Sequence, residues 1–231
     1  MKLQMLILLM VSSMCHAQYS NHQLYEAYIT RDMSVWEQYI DSADWDSLDI
    51  EERKQLLNYE YGFSAYILGI DVEKGKQLIQ RFASHLEAMK SELPKEKYCA
   101  YLASVYTYQL ALNKGQLMKY AKGIFSNLQR AMELNANDPF VLSMQGNVEF
   151  FSPFGNKKTA LSYFQKADSL YTVSCADYER WNQRAVQFTY IQCLHKQRRK
   201  DEAKALCKKL LAEEPNNVNF QQLLEEFNAT N

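Results

Sequence analysis

The chain has 231 residues, of which 47% are hydrophobic and 13% aromatic, and its formal net charge is -1. This composition excludes an intrinsically disordered chain and supplies enough apolar side chains for a substantial core. Seven Gly and four Pro are few for the length, which excludes turn-rich sandwiches and barrels and favours long helices. The near-zero charge gives neither a nucleic-acid footprint nor an overall charge excess for a membrane surface.

The first residues have the pattern of a secretory signal peptide. A lysine is followed by an apolar run at residues 3–11 and then by small and polar residues up to Ala17. The run is too short to span a bilayer, and Ala17 with Cys15 two residues earlier fits the small-x-small cleavage rule. We therefore predict a signal peptide at residues 1–17, a single helical domain at residues 18–231, and an exported protein, periplasmic or secreted.

An alternative makes Cys15 the lipid-modified residue of a lipoprotein, since a cysteine at the end of an apolar leader marks that class. The residue before such a cysteine is usually small, whereas Met14 stands there. We therefore expect no lipid anchor at Cys15. No later segment is long and apolar enough to span a membrane, so no transmembrane segment is predicted.

Four cysteines follow the leader: Cys99, Cys175, Cys193 and Cys207. Export would permit disulfides. All four lie within apolar helical patterns at irregular spacing, and a domain of this size does not need cross-links, so we expect buried free thiols. A bond between Cys193 and Cys207 is the alternative, because neighbouring antiparallel helices are expected to carry them.

Apolar residues recur with the helical period of about 3.6 almost throughout the chain after residue 20. Helix-start signals agree, with capping-box spacing at Ser20, Asp49 and Ser174 and a first-turn proline at Pro139. Eleven helices are predicted, over residues 20–30, 33–43, 49–68, 72–91, 95–113, 116–134, 139–151, 157–172, 176–196, 200–213 and 218–228. The short joints between them make successive helices antiparallel.

Internal repetition distinguishes a solenoid from a bundle, and it is visible from residue 131 onward. Residues 131–147, AMELNANDPFVLSMQGN, form a helix end, a polar turn and the start of the next helix, and the helix after that carries Ala160, Phe164 and Ala167. This pattern resembles the tetratricopeptide repeat (TPR). The resemblance implies that Gly146 and Ala160 let paired helices approach closely, while Phe164 fills the wedge between hairpins.

A further unit ends at Pro215, which matches the terminal proline of the repeat. Ile191 and Cys207 stand where the repeat has a glycine and an aromatic residue, so we expect a wider or differently filled helix contact there. The resemblance implies an all-α fold, an α-solenoid of antiparallel helical hairpins. The hairpins are divergent over residues 18–130, and residues 131–231 hold clearer repeats and a C-terminal capping helix.

Residues 150–156, FFSPFGN, form an aromatic Pro-Gly joint that lengthens the repeat unit at residues 139–167 by two residues. The joint is similar in texture to those of exported TPR proteins of the Bacteroidetes type. If the protein holds a small molecule, residues 150–154 are expected to act as a lid.

Signatures of catalysis are missing from the sequence. It contains no nucleophile elbow, zinc-protease, Walker or dinucleotide-binding motif. His22, His85 and His195 stand alone without the spacing of zinc ligands. We therefore expect no enzyme, no cofactor and no metal. The basic run at residues 195–200 is expected to be a solvated joint that offsets a helix dipole, with a polyanion site as the alternative.

The resemblance implies binding through the concave face, which the first helix of each hairpin lines. The candidate groove residues are Tyr106, Gln109, Asn113, Phe140, Ser143, Asn147, Phe150, Phe188, Gln192 and His195. Their aromatic and amide side chains suit an apolar peptide or helix with a few backbone contacts. For Tyr106 and its neighbours Tyr98, Tyr101 and Tyr108, the alternative is packing between helices.

One well-known TPR groove clamps a C-terminal carboxylate with Lys, Asn and Arg. Ser143, Met144 and Ala185 occupy those places here, so that clamp is not expected. We predict a non-catalytic scaffold or adaptor that acts outside the cytoplasm and binds another protein or peptide, and no nucleic acid. The alternative is a small-molecule-binding or accessory component of an envelope enzyme or transport system.

Overall fold

The computed structural model describes residues 19–229, so the predicted leader, its cleavage site and Cys15 lie outside the described residues. The described residues form eleven α-helices and no strand. The helices are α1 (Asn21–Thr30), α2 (Ser34–Ser42), α3 (Ile50–Leu68), α4 (Val72–Ala88), α5 (Lys95–Leu112), α6 (Leu117–Leu134), α7 (Pro139–Phe151), α8 (Lys157–Val173), α9 (Arg180–Lys196), α10 (Lys200–Glu213) and α11 (Val218–Ala229). Short joints pair α1 to α10 into five antiparallel hairpins that stack in order, and α11 packs on the last of them. The predicted α-solenoid of antiparallel hairpins is confirmed.

Local helix-start chemistry explains most of the boundaries. The capping boxes predicted at Ser20 and Asp49 both form and begin α1 and α3. The box predicted at Ser174 is wrong. The Ser174 backbone N–H donates to the Leu170 carbonyl and ends α8, and a short 3-10 helix, Asp177–Glu179, comes before α9.

The close contact predicted between α7 and α8 is confirmed. Phe164 and Ala160 are fully buried, and a Cβ atom on Gly146 would lie 2.7 Å from the Phe164 ring. In the next hairpin Ile191 and Cys207 are both fully buried in the same core. Two side chains of intermediate size thus occupy the space that glycine and phenylalanine share in the preceding hairpin.

Gly146→Ala is expected to lower the free energy of unfolding by about 1–3 kcal/mol, because the added methyl group overpacks a filled core. This loss outweighs the gain of about 1 kcal/mol that alanine brings to a helix interior. Gly115→Ala is the matched control, since its Cβ atom would meet no atom nearer than 3.7 Å. Urea unfolding of both variants measures the effect. Equal midpoints for the two would contradict the close contact.

The first hairpin folds across the concave side of the solenoid. Helix α1 packs against both α9 and α11, which are far away along the chain. Residues of α1, α2 and α3 form one core cluster together with Trp181 at the start of α9. The concave side is therefore partly filled by the protein's own N-terminal helices, which repeat stacking by itself does not require.

Candidate functional site

The concave side is built around a cluster of aromatic rings from four helices. Trp181 of α9 lies 5.1 Å from Trp36 of α2, 5.7 Å from Tyr28 of α1 and 5.9 Å from Tyr61 of α3, measured between ring centroids. Trp36 also packs edge-on against Tyr59 at 4.8 Å. Edge-to-face and tilted rings at these separations attract one another beyond the apolar area they bury. The cluster holds the first hairpin onto α9.

Gly62 lets α3 approach this cluster. A Cβ atom at position 62 would lie 2.5 Å from the Trp181 ring and 2.9 Å from the Trp36 ring. Any larger residue would have to push the two indoles apart.

A polar contact joins α1 to α9 and to the joint between α10 and α11. Arg184 of α9 donates from Nη2 to Glu214 Oε1 at 2.7 Å and from Nε to Glu214 Oε2 at 3.0 Å. Arg184 Nε also donates to the Tyr25 hydroxyl at 3.0 Å, and that hydroxyl donates to Glu214. The two-point geometry is the strong form of an arginine–carboxylate pair. Burial, and then the hydrogen bond to Glu214, raise the pKa of Tyr25 to about 12, so its hydroxyl stays protonated as the donor.

Contacts of Asn219 extend this closure to α11, and a cation–π contact adds to it at α9. Arg31 Nε, at the end of α1, donates to Asn219 Oδ1 at 2.8 Å. Asn219 Nδ2 donates to the backbone carbonyl of Tyr28 at 3.3 Å. The guanidinium of Arg180 lies 4.0 Å from the centre of the Tyr25 ring. Side chains of α1 therefore hold α9, α11 and the α10–α11 joint together.

A small cleft remains open beside the aromatic cluster. It contains about 300 Å³ of space, including its mouth. The lining residues come from α3, α7 and α9: Tyr61, Ser143, Asn147, Trp181, Asn182, Ala185, Val186 and Thr189. Only about 50 Å³ of this space is enclosed, which is well below the volume of most ligand clefts.

Most polar groups of the cleft are already paired within the protein. Tyr61 Oη donates to Met144 Sδ at 3.3 Å, and Asn182 Oδ1 accepts from Asn58 Nδ2 at 3.0 Å. The indole N–H of Trp181 is different, because it is buried and has no acceptor among the described residues. A buried donor without an acceptor costs free energy that a bound acceptor would recover.

The structure brings two of the ten predicted groove residues, Ser143 and Asn147, to this cleft. Ser143 is buried and its hydroxyl donates to the Phe140 carbonyl at 2.7 Å, whereas Asn147 is half-buried. Ala185, which occupies one of the absent clamp positions, also lines the cleft.

The other predicted aromatic residues pack between helices. Phe140 is fully buried, with Tyr101 4.5 Å from its ring, and Phe150 packs on Phe151 and Phe164. Tyr106 lies against Gly123 of α6, where an added Cβ atom would be 2.7 Å from its ring. The aromatic rings of Phe140, Phe150 and Tyr106 therefore pack between helices, as the alternative interpretation predicted for Tyr106. No residue of the predicted lid, 150–154, lines the described cleft.

The remaining groove residues lie toward α11 or at the solenoid edge. The Phe188 ring is 6.5 Å from Phe220, and His195 stacks on Phe227 at 4.3 Å. Burial, and then nearby lysines, lower the pKa of His195. The other three are polar: Gln109 and Gln192 are half-buried, and Asn113 is exposed at the end of α5.

The sequence-based groove omitted Tyr61, Trp181, Asn182, Val186 and Thr189. Trp181 could have been predicted from the sequence, because it lies one helical turn before Ala185 and therefore on the same face of α9. Tyr61 could not have been predicted in this way. It reaches the cleft because α3 lies beside α9 in the folded chain.

His85 does not stand alone, contrary to the prediction. Its Nδ1 lies 2.9 Å from the buried carboxylate of Glu60, and its ring stacks on Trp45 at 3.8 Å. Arg81 Nε lies 3.2 Å from the same carboxylate. A buried carboxyl group needs such partners, and these contacts join α3 to α4. Across residues 19–229, no three His, Cys, Asp or Glu side chains lie together as metal ligands.

The four cysteines of the described residues are unpaired in this structure, and the burial expected for all four is found only for two of them. Cys193 and Cys207 are fully buried, and the other two are partly exposed. Their sulfur atoms face different groups: Cys193 Sγ donates to the Lys157 carbonyl at 3.4 Å and Cys207 Sγ to the Phe220 carbonyl at 3.3 Å. Burial raises the pKa of Cys207 to about 11, which keeps this thiol protonated and unreactive.

Comparison with known proteins gives likenesses of structure. The chain matches no protein-family model and no curated protein. Its fold is similar to that of the HusA haemophore from Porphyromonas gingivalis, with a TM-score of 0.52 and 17% identity over 74% of this chain and 84% of the haemophore chain. A second similar structure is the APC/C hetero-tetramer Cut9–Hcn1, with a TM-score of 0.43 and 13% identity over 94% of this chain and 43% of that chain. None of the described helices is long and apolar enough to cross a membrane.

Proposed function

We propose that this is a non-catalytic binding protein that acts outside the cytoplasm and holds a short segment of another protein in the concave cleft. The observation that carries the proposal is Trp181, which lines an open cleft and whose buried indole N–H has no acceptor among the described residues, so that a ligand could accept from it once the ring shifts to expose it. A peptide carbonyl is an acceptor of the required kind, and the amide of Asn147 can both donate and accept beside it.

The closed concave side limits what the cleft can hold. An extended peptide cannot run along the whole inner face, because α1 and α2 occupy part of it. With about 50 Å³ of enclosed space, the cleft suits one small inserted side chain, and the rest of the segment lies outside it. The protein therefore acts as an adaptor for a short anchor segment, and the leader pattern of residues 1–17 supports its export.

Ala185→Phe is expected to weaken partner binding about tenfold or more, because the added ring fills the cleft where the anchor would sit. A photo-crosslinking residue at Asn147 reports occupancy of the cleft in cells that make the protein. We expect it to attach to one specific envelope protein, and this product should disappear in the Ala185→Phe background.

Ala205→Phe is the matched control, since Ala205 is exposed on α10 and far from the cleft residues. It should leave the cross-link intact. A second cross-linker at the exposed Ser162 should yield no such product. Persistence of the Asn147 product in Ala185→Phe, at the level seen in Ala205→Phe, would show that the cleft is not the binding site.

A small-molecule ligand is the second candidate, and the same unpaired Trp181 donor favours it. The similar structure named a haemophore makes haemin one ligand to test, and because haemin is larger than the cleft it would enter only in part. Haemin is added to the purified protein, and its absorbance is followed through gel filtration. Retention that Ala185→Phe abolishes and Ala205→Phe preserves would support this candidate in place of the peptide.

A further inference from the structure

Three consecutive hairpin turns lie at one edge of the solenoid. They are residues 113–122, 151–158 and 195–200, and together we call them the turn edge. Helices α5, α7 and α9 pack side by side, and each returns through its turn into an antiparallel partner, so their carboxyl ends share one edge. A hydrogen bond from Gln197 Nε2 to the Lys157 carbonyl, at 2.6 Å, joins the third turn to the second.

Large apolar side chains project from this edge into solvent. Phe154 is 97% exposed, Met118 is 85% exposed and Phe151 is 66% exposed. A folded domain usually exposes apolar side chains of this size singly, whereas here three lie on two neighbouring turns.

The turn that carries Phe154 is held by its own hydrogen bonds, so the exposure is built into the fold. The Phe154 N–H donates to Ser152 Oγ at 3.2 Å, and the Asn156 N–H donates to Glu149 Oε2 at 2.7 Å. A Cβ atom on Gly155 would lie 2.2 Å from the Glu149 carbonyl, so only glycine permits this tight turn. The phenylalanine is thus presented outward by an ordered backbone.

The turn edge is basic, although the whole chain is close to neutral. Its three segments contain no Asp or Glu, and all their lysines and arginines are exposed. These are Lys114, Lys119, Lys122, Lys157, Lys158, Lys196, Arg198, Arg199 and Lys200. Of these, Arg199 pairs with Glu202 on α10, at 2.6 Å. The carboxylate of Glu226, on α11, interacts electrostatically with His195 at the rim of the third turn.

An anionic bilayer complements this surface better than a protein does. Protein interfaces seat aromatic anchors in pockets of a continuous matching surface. A membrane interface instead accepts separate apolar side chains that project from one edge, while basic residues around them contact lipid phosphates. Apolar tips surrounded by lysines on successive turns fit the second description.

We propose that the turn edge docks the protein onto the surface of an anionic phospholipid membrane, with Met118, Phe151 and Phe154 entering the interface. The basic residues of the three turns then lie at the level of the lipid phosphates. None of the residues that line the concave cleft belongs to the turn edge, so this docking does not use them.

Vesicle flotation tests the proposal with the chain that begins at Gln18, which retains every described helix and lacks the apolar leader. Vesicles of phosphatidylglycerol with phosphatidylcholine should carry the protein, and vesicles of phosphatidylcholine alone should not. Phe151→Ser with Phe154→Ser should weaken binding about tenfold or more, because two aromatic rings no longer leave water. Lys157→Glu with Lys158→Glu should weaken the binding severalfold at low salt and less at high salt, because the other basic residues of the turn edge remain.

Val173→Ser is the matched apolar control, since Val173 is 86% exposed at the end of α8, on the opposite edge. Lys208→Glu with Lys209→Glu is the matched charge control on α10, and both controls should bind as the wild type does. No flotation of the wild-type chain, or equal losses in the turn-edge and control variants, would overturn the proposal. Failure to float combined with capture of an acidic protein that Lys157→Glu abolishes would assign the edge to a protein partner and equally reject the membrane.

Discussion

Trp36→Ala is expected to lower the free energy of unfolding by about 3–5 kcal/mol, because it removes the centre of the contact that closes the concave side. Trp36 is 1% exposed and packs on Trp181 and Tyr59. Its Nε1 also donates to the Leu24 carbonyl at 2.7 Å, so the substitution leaves a cavity and an unpaired buried acceptor. Urea unfolding followed by far-ultraviolet circular dichroism measures the loss.

The same variant tests whether the first hairpin is held mainly by this cluster. Limited proteolysis should cut Trp36→Ala within residues 19–48 faster than the wild type, while the later hairpins stay protected. Phe154→Ala is the control, because its ring is 97% exposed and its loss should change stability by no more than about 0.5 kcal/mol. Unfolding curves that shift equally in the two variants would refute the central role of Trp36.

Arg184→Ala is expected to lower the free energy of unfolding by about 2–3 kcal/mol. It leaves the carboxylate of Glu214 and the hydroxyl of Tyr25 without their cation at the junction of α1, α9 and the α10–α11 joint. Breaking a fully buried pair costs about 3–5 kcal/mol, and this pair is slightly exposed, which reduces the effect. Chemical denaturation at neutral pH measures it.

Arg199→Ala is the matched control, since the Arg199–Glu202 pair has the same chemistry but both side chains are largely exposed. Its loss should cost no more than about 1 kcal/mol. A loss in Arg184→Ala as small as that in Arg199→Ala would mean that the Tyr25–Arg184–Glu214 contact does not hold the chain ends together.

The pH dependence of stability gives an independent check on this contact. Burial alone would raise the pKa of Glu214, but hydrogen bonds from Arg184 and Tyr25 outweigh burial and hold the pKa below its usual range. Such a carboxylate stabilises the fold fully above its unfolded pKa of about 4.3, and the contribution is lost as the pH falls through the folded value. The stability difference between wild type and Arg184→Ala should therefore shrink on acidification below about pH 4.3. A difference that is constant with pH would contradict the assignment.

Much of the fold was predictable because its signals are local. The eleven helices follow from the period of apolar residues, and Ser20 and Asp49 begin helices with their own side chains. The contact between Gly146 and Phe164 was predictable for a related reason, since both residues belong to one repeat. The capping box predicted at Ser174 does not form, because the residues after it adopt a short 3-10 helix before α9 begins.

The site was only partly predictable. Ser143 and Asn147 were predicted to line the groove from the resemblance to the TPR, and both line the cleft. Phe140, Tyr106 and Phe188 were predicted to line the groove for the same reason, yet each packs against a neighbouring helix. A single helix pattern does not reveal which neighbour covers a given face.

The sequence by itself determined the helices and their hairpin order, because helix periodicity, capping and short joints act over a few residues. The solenoid class followed from the internal repeats and their resemblance to the TPR. Only the tertiary structure decided that α1 packs on α9 and α11, that the concave side is reduced to one small cleft, and that three basic turns meet at one edge. The contacts of α1 join residues more than a hundred positions apart, as Tyr25 and Glu214 are, and the three turns lie in separate hairpins. Such contacts depend on the cumulative rotation of the stacked hairpins, which no local pattern encodes.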